Sequence, residues 1–402
     1  MKRNIALFTL CLMLPLIADA SSAPEPAQRH LNYWMPAVSG LTDSQQSKLQ
    51  NIYQLMLTSQ YNAAEQQLAL LSNEASQVFP LWIALLTELQ QFSKISQLVN
   101  SGQLDPKHNS AQLAKLVQQQ QPQVRFNQAE GSIPLETHWL IALPRIKVIL
   151  NGHPYYFVLD TGASQSLITD RVAKEAGLSL ATDSQIMIDT ATDNKVKAGL
   201  TLLPSFQLGP VQADNQPALV VDRAELEQQL LGFHWYQIDG IIGWPLLKQL
   251  DLTFDFVTDM LEIRQSTTAK QQGNLVWLFD DPMVITNRDE QPRLWFLDTG
   301  AGSSVLTAEY LTPAQQQAMV WEGKKFGGLG GTGTTERTGQ LEQIRIAFPS
   351  LSQHLAKMTV RADHQDCIHS RCDGRLGVDV AAHHRMHLNF QTATFDIYKA
   401  DK

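Results

Sequence analysis

Two acidic residues of the chain stand in one short motif that occurs twice, 138 residues apart. Asp160 ends the run Phe-Val-Leu-Asp, Asp298 ends the run Trp-Phe-Leu-Asp, and Thr-Gly-Ala follows each of them. Two carboxylates brought together in a poorly solvated site cannot both ionise, so one of them keeps a proton. Such a pair can act as general base and general acid on one water molecule. The repeat therefore predicts a site built from two carboxylates.

This motif is part of a longer duplication. The sequence Gly-Ile-Ile-Gly at 240–243 recurs as Gly-Arg-Leu-Gly at 374–377. Around both copies, short runs rich in Val, Ile, Leu and Phe alternate with Gly, Asp, Asn and Pro, which is typical of strands joined by turns. The duplication thus predicts two β-rich units, at 126–266 and 267–402, that each supply one of the acidic residues.

The segment before these units has a different character. Leu, Ile, Ala and Gln abound there, and apolar residues recur at three- and four-residue spacing, as in Leu49, Ile52 and Met56. This spacing indicates amphipathic helices. We expect helical hairpins and a Gln-rich linker within 21–125. They form either a plain packing domain or a surface for a protein partner.

The first twenty residues predict a signal peptide. Lys2 and Arg3 precede an apolar run at 5–17, and Ala-Asp-Ala follows at 18–20. This is the order of a cleaved secretory signal, and the run is short for a membrane span. We expect a protein exported to the periplasm or secreted, with no stable membrane insertion after cleavage. A retained N-terminal anchor is the alternative.

The acidic motifs and their surroundings resemble the aspartic peptidase superfamily, which includes the pepsins and the retroviral proteases. That family carries apolar residues, Asp-Thr/Ser-Gly and a downstream apolar-apolar-Gly, and both halves of this chain match except at Arg375. The resemblance covers roughly residues 126–400. It implies a mainly β fold, in which two retropepsin-like β-barrel lobes form an intramolecular pseudo-dimer after an α-helical N-terminal domain.

The resemblance also implies a function. The chain would be an aspartic endopeptidase that hydrolyses peptide bonds with a water activated between Asp160 and Asp298, without a cofactor or a metal. By the same resemblance, the residues that support the carboxylates are Thr161, Gly162, Ala163, Thr299, Gly300 and Ala301. Many acid-adapted relatives have a hydroxyl where this chain has the two alanines, so we expect a working pH nearer to neutral.

In this family a β-hairpin flap folds over the cleft. A turn-rich stretch follows each acidic residue by about thirty positions, as a flap in each unit requires. The first stretch contains Asp193 and Asn194, and the second contains Gly328, Gly330 and Gly331. We expect the two stretches to be the flap tips.

Composition limits the partners. The formal net charge is −8 and the basic residues are scattered, whereas nucleic-acid binding needs a basic surface. We therefore expect no nucleic acid as a partner, while the family resemblance implies a peptide or protein substrate. Since about ten residues join the two units, near 264–273, the linker favours pairing within one chain and a monomer over pairing between two chains.

Two other functions stay open at this stage. The chain could be a catalytically silent peptide-binding protein with the same fold, although a pure binder needs neither carboxylate. It could also be a metal-dependent hydrolase, because His and Cys side chains can bind zinc. Cys367 and Cys372 are, however, an even pair in a chain with an export signal, which favours a disulfide. The other candidate ligands are His364, His369, His383, His384 and His387.

Overall fold

The computed structural model describes residues 34–35, 38–118, 120–137, 143–181, 186–190, 194–226, 228–230, 233–266, 273–288, 291–329, 331–362, 367 and 369–399. The helices in these ranges are α1 (Asp43–Leu57), α2 (Tyr61–Glu74), α3 (Phe79–Glu88), α4 (Phe92–Asn100), α5 (Asn109–Val117), α6 (Asp170–Glu175), α7 (Trp244–Leu247) and α8 (Pro313–Ala318). The strands that precede the first acidic residue are β1 (Gln123–Phe126), β2 (Glu130–Pro134), β3 (Arg145–Leu150) and β4 (His153–Leu159).

The remaining strands complete the two β-rich units. Those between the two acidic residues are β5 (Ser166–Thr169), β6 (Ile186–Asp189), β7 (Lys195–Leu208), β8 (Val211–Val221), β9 (Gln228–Leu230), β10 (Phe233–Tyr236), β11 (Gly240–Ile242), β12 (Asp251–Asp255), β13 (Met260–Arg264), β14 (Leu275–Leu278), β15 (Asp281–Arg288) and β16 (Gln291–Leu297). Those after the second are β17 (Val305–Thr307), β18 (Glu322–Gly328), β19 (Gly331–Ala347), β20 (Ser352–Arg361), β21 (Gly374–Leu376), β22 (Arg385–Asn389) and β23 (Thr394–Tyr398).

The N-terminal part is helical, as predicted. The helix α1 begins after Thr42, whose hydroxyl accepts from the Gln45 N–H while the Gln45 side chain accepts from the Thr42 N–H. This capping box satisfies N–H groups that have no partner within the helix. The predicted apolar face is confirmed, since Leu49, Ile52 and Met56 are buried. Among the described residues, no helix has the length and apolar character that crossing a membrane would require.

The first β-rich unit closes into a barrel. Its strands follow the order β8-β5-β11-β4-β3-β7, and β7 pairs back onto β8, so six strands form a closed cylinder. The strand β1 adds to the outside edge of β8. It spans the boundary that the sequence placed between residues 125 and 126, so all of this strand lies with the first barrel.

The second unit repeats the central part of the first in an eight-stranded sheet of order β14-β15-β16-β21-β17-β20-β19-β18. In the first unit β11 is parallel to β4 and antiparallel to β5. In the second, β21 is parallel to β16 and antiparallel to β17. The duplication read from the sequence is therefore also a duplication of strand pairing, and the mainly β fold class is confirmed.

A further sheet joins the two units. Its order is β2-β13-β12-β22-β23. The strand β12 of the first unit pairs with β22 of the second, with Asp251 opposite Asn389 and Phe254 opposite Met386. Backbone hydrogen bonds thus fix the relative position of the halves.

The helical domain packs against both halves. On the second half, the Tyr61 ring stacks on Trp277 at 3.7 Å, and the Tyr61 hydroxyl accepts from the Trp277 N–H at 3.0 Å. On the first half, the Glu88 carboxylate at the end of α3 accepts from the Trp244 indole N–H and from Lys248 at 2.7 Å. The helices therefore form one continuous structure with both lobes.

The buried Glu88–Lys248 contact gives a prediction about stability. The two side chains are 5% and 11% exposed, so Glu88→Ala leaves the Lys248 ammonium buried without its carboxylate. We expect a loss of about 3–5 kcal/mol in the free energy of unfolding, measured by urea denaturation at pH 7. The control is Glu74→Ala, which removes a half-exposed pair with Lys48 and costs about 1 kcal/mol or less. Equal losses in the two variants would contradict this role of Glu88.

Candidate active site

Each acidic residue is held by the same backbone arrangement. Asp160 follows the last residue of β4, and its N–H donates to the Ile242 carbonyl at 3.0 Å. Asp298 follows the last residue of β16, and its N–H donates to the Leu376 carbonyl at 3.0 Å. Parallel pairing of β4 with β11, and of β16 with β21, therefore fixes where each carboxylate starts.

The two acidic loops bind each other through their threonines. The Thr161 N–H donates to the Thr299 hydroxyl and the Thr299 N–H donates to the Thr161 hydroxyl, both at 3.0 Å. Each hydroxyl then donates to a carbonyl of the opposite strand, Leu297 at 2.6 Å and Leu159 at 2.8 Å. Both threonines are buried. This exchange across the lobe interface brings the predicted pair of loops together.

The glycines of the two motifs permit close approach. A Cβ atom added to Gly300 would lie 2.3 Å from Asp160 Cγ, and one added to Gly162 would lie 3.0 Å from Asp298 Cγ. Each carboxylate thus lies over the glycine of the other loop, where any side chain would displace it. The Gly162 N–H also donates to Asp160 Oδ1 at 2.8 Å.

The local environment changes the ionisation of Asp160. Burial, and then the nearby charge and hydrogen bond of Asp298, raise the pKa of Asp160 to about 8, against weaker opposing hydrogen bonds from backbone N–H groups. The pair therefore favours a state in which one carboxyl keeps its proton. A guanidinium is also present, since Arg375 Nη1 lies 3.4 Å from Asp298 Oδ2.

The predicted alanines contribute through their backbones. The Ala163 carbonyl accepts from the Trp244 N–H at 2.9 Å, and the Ala301 carbonyl accepts from the Val378 N–H at 3.0 Å. These bonds tie each acidic loop to the chain just after its glycine, Gly243 or Gly377. Those glycines lie so close to the loops that an added Cβ would stand 2.7 and 2.6 Å from the alanine carbonyl oxygens.

Sequence reasoning missed two pairs of residues that support the loops. Ser166 Oγ accepts from the Gly243 N–H at 3.1 Å, and Ser304 Oγ accepts from the Gly377 N–H at 2.9 Å. Asp239 and Asp373 precede β11 and β21 and accept from the N–H groups of Tyr156 and Leu294. Both pairs keep the offsets of the repeat, so alignment of the two halves would have found them.

The two predicted flap regions lie on hairpins. In the first unit, β6 pairs with β7, and the Thr190 hydroxyl donates to the Asn194 carbonyl at 2.9 Å. Asp193 lies outside the described residues. In the second unit, Gly328 pairs with Gly331 at the end of the β18–β19 hairpin, and Gly331 has φ +90°, a region that favours glycine. Gly330 also lies outside the described residues.

The second hairpin reaches towards the opposite half. Leu329 packs against a cluster formed by the helical domain and the outer face of the first barrel, which includes Leu167 and Leu219. At the base of the hairpin, buried Arg361 forms a fork with Glu336 at 2.6 and 2.7 Å and lies 4.6 Å from the centre of the Phe326 ring. These contacts of Arg361 were not predicted from the sequence.

Four of the C-terminal His and Cys residues make other side-chain contacts. Cys367 and Cys372 form a disulfide, so their sulfur atoms are not available as thiolate ligands. His369 lies 3.2 Å from Asp280, and His387 lies 3.0 Å from Asp251. Among the residues that the structure describes, no group of three or more His, Cys, Asp or Glu side chains is arranged to hold a metal ion. His364 lies outside that part of the chain.

Parts of this chain are similar to known proteins. Residues 146–235 match the family model described as aspartyl protease. Among solved structures, the chain is similar to a retropepsin-like aspartic protease from Rickettsia conorii, with 22% identity and a TM-score of 0.23, covering 37% of this chain and 96% of that one. No protein with a curated description matches. The resemblance to the aspartic peptidase superfamily is thus confirmed, with the family match lying in the first lobe.

The threonine exchange gives a prediction. Thr161→Val keeps the side-chain volume but leaves the buried Thr299 N–H and the Leu297 carbonyl without this partner. Since an unsatisfied buried polar group costs about 1–3 kcal/mol, we expect a loss of that size or more in the free energy of unfolding, measured in urea. Thr161→Ser is the control, because it keeps the hydroxyl and removes one methyl group. If Thr161→Val were no less stable than Thr161→Ser, the exchange would not hold the lobes together.

Proposed function

We propose that this protein is an aspartic endopeptidase. The observation that carries the proposal is the close approach of two acidic groups from different halves, each over the glycine of the other loop. A pair that shares one proton supplies a base and an acid at the same place. The raised pKa of Asp160 supports this sharing, because burial and the neighbouring carboxylate both favour its protonated form.

In the proposed reaction, a water bound between Asp160 and Asp298 attacks the scissile carbonyl carbon. The ionised carboxylate takes a proton from this water while the protonated one donates to the carbonyl oxygen, which gives a gem-diol. The carboxyl that took the proton from the water then gives it to the amide nitrogen, and the other carboxylate takes a proton from one gem-diol hydroxyl. The C–N bond breaks, and a carboxylic acid and an amine leave. No covalent bond to the protein forms, and the pair returns to one shared proton.

The substrate in this proposal is a peptide or protein segment that lies between the two lobes. The hairpins at the ends of β6 and β18 act as flaps, and closing them excludes bulk water from the reaction. The packing of Leu329 against residues of the first barrel and helical domain supports a flap that crosses from one half to the other. The proposed roles of Asn194, Gly328 and Gly331 are those of flap-tip residues.

We also propose that the protein acts outside the cytoplasm as a monomer. The disulfide between Cys367 and Cys372 supports an oxidising compartment, and the predicted signal peptide at 1–20 lies outside the described residues. The sheet shared by β12 and β22 supports pairing within one chain. A protein partner for the helical domain stays a prediction.

The second candidate function, after the endopeptidase, is that of a catalytically silent peptide-binding protein. It would keep the fold and the flaps without turnover. The position of the acidic pair favours the enzyme, because burying two carboxylates together is costly and a binding protein gains nothing from it. The metal-dependent hydrolase has less support, since the sulfur atoms of Cys367 and Cys372 are bonded to each other.

The direct test is cleavage of a peptide library read by mass spectrometry. We expect the wild-type protein to cleave, and Asp160→Asn and Asp298→Asn each to lower kcat/KM at least about 100-fold, in line with the loss of an acid or base. The control is Gly302→Ala in the same loop, where an added Cβ meets nothing within 4 Å, and this variant should keep its activity. Undiminished cleavage by either Asn variant would refute the proposal.

The pKa of Asp160 predicts the alkaline side of the pH profile. Because this pKa is raised to about 8, the proton on Asp160 is present below that pH and is lost above it. We expect kcat/KM to fall as the pH rises through about 8. The affinity for a statine-type inhibitor, which mimics the transition state, should fall with the same midpoint. The measurement is a pH series of both quantities. A profile that peaks below about pH 3.5, near the ordinary carboxyl pKa, would contradict this expectation.

A further inference from the structure

The acidic site contains an ion pair. Arg375 Nη1 lies 3.4 Å from Asp298 Oδ2, and the two side chains are only 13% and 14% exposed. A guanidinium keeps its charge at all pH values of interest. A cation at this distance, with so little solvent to screen it, favours the ionised form of a carboxylate.

This cation breaks the pseudo-twofold symmetry of the site. Arg375 lies opposite Phe296 in the parallel pairing of β21 with β16. The matching position on β11 is Ile241, opposite Val158 of β4. Phe296 and Val158 each stand two residues before the Asp of their own unit, so Arg375 and Ile241 occupy equivalent positions. The halves therefore differ in charge at a position where their backbones agree.

The two oxygens of Asp298 face different neighbours. Oδ2 is the atom close to Arg375. Oδ1 faces the first loop, since a Cβ added to Gly162 would lie 3.0 Å from it. The carboxylate can thus keep its contact with the guanidinium while its other oxygen faces the place between the lobes where a water would bind.

Other charged groups around β21 have their own partners. Arg293 on β16 pairs with Asp373 at 2.6 Å. Asp379 accepts from the Ser304 N–H at 2.8 Å and from its hydroxyl at 2.5 Å. In the described part of the chain, the ionisable groups on elements beside Arg375 are Asp160, Arg293, Asp298, Glu309, Asp373 and Asp379.

We propose that Arg375 is a positioning residue that assigns the charge within the pair, so that Asp298 is the ionised base and Asp160 is the protonated acid. This inference rests on the proposed function and adds to it which carboxylate acts as the base and which acts as the acid. In a symmetric pair the proton can reside on either side. Here Asp298 takes the proton from the water, and Asp160 gives its own proton to the carbonyl oxygen.

The same contact sets the pH range of activity. A fixed cation favours every state of the carboxyl pair that has fewer protons. It therefore lowers the midpoint pH of both the acid and the alkaline limb of the pH–activity profile. Its removal should move both limbs upwards by about one to two pH units, within the range typical for one close charge. A residue with only a packing role would lower activity without moving either limb.

The test compares three variants over a pH series of kcat/KM. Arg375→Met removes the charge with little change in length, and both limbs should shift upwards. Arg375→Lys keeps a cation and should shift them less. The control is Arg345→Met, which deletes the same charge from an exposed position on β19, where it contacts Ser352, and its limbs should coincide with those of the wild type. Melting temperatures show whether each variant is folded.

A second readout separates this inference from the proposed function. The ¹³Cγ signals of labelled aspartate, assigned with Asp160→Asn and Asp298→Asn, report the titration of the pair without turnover. We expect the midpoints to move upwards in Arg375→Met. Unmoved midpoints would overturn the inference even in an active protease, and so would a uniform gain in activity at every pH, which would identify Arg375 as a brake. Shifted midpoints in a protein that cleaves nothing would instead defeat the proposed function.

Discussion

The structure depends on bringing two acidic groups, which repel each other when ionised, into one poorly solvated place. Their separation is set by rigid backbone contacts, chiefly the exchange of hydrogen bonds between Thr161 and Thr299. Because both threonines are buried, solvent cannot replace these bonds easily. The contacts of the lobe interface thereby offset the repulsion between the two acidic groups. This repulsion also favours a state in which one carboxylate keeps its proton.

Much of the remaining structure serves to keep this interface fixed. The shared sheet links the halves through β12 and β22, and the helical domain contacts both of them, through Glu88 on one side and Tyr61 on the other. The helices thus add a second connection between lobes that already share strands.

The sequence predicted those features that are local and repeated. Asp160 and Asp298 could be found because a short motif sets both the strand end and the loop after it. The helices could be placed because apolar spacing reports one buried face. The contacts between distant segments could not be found, since the stacking of Tyr61 on Trp277 depends on how a helix meets a strand. Nor could the direction of the Arg375 side chain, which follows from the register of β21.

The fusion of the two halves has a consequence for how such a site can diverge. In an enzyme assembled from two identical chains, every substitution appears twice, so a basic residue at the position of Arg375 would place two cations around a pair that holds a single negative charge. A tandem gene escapes this constraint. One copy can acquire arginine while the other keeps the isoleucine at 241, and the two carboxylates can then specialise independently, as duplicated genes do.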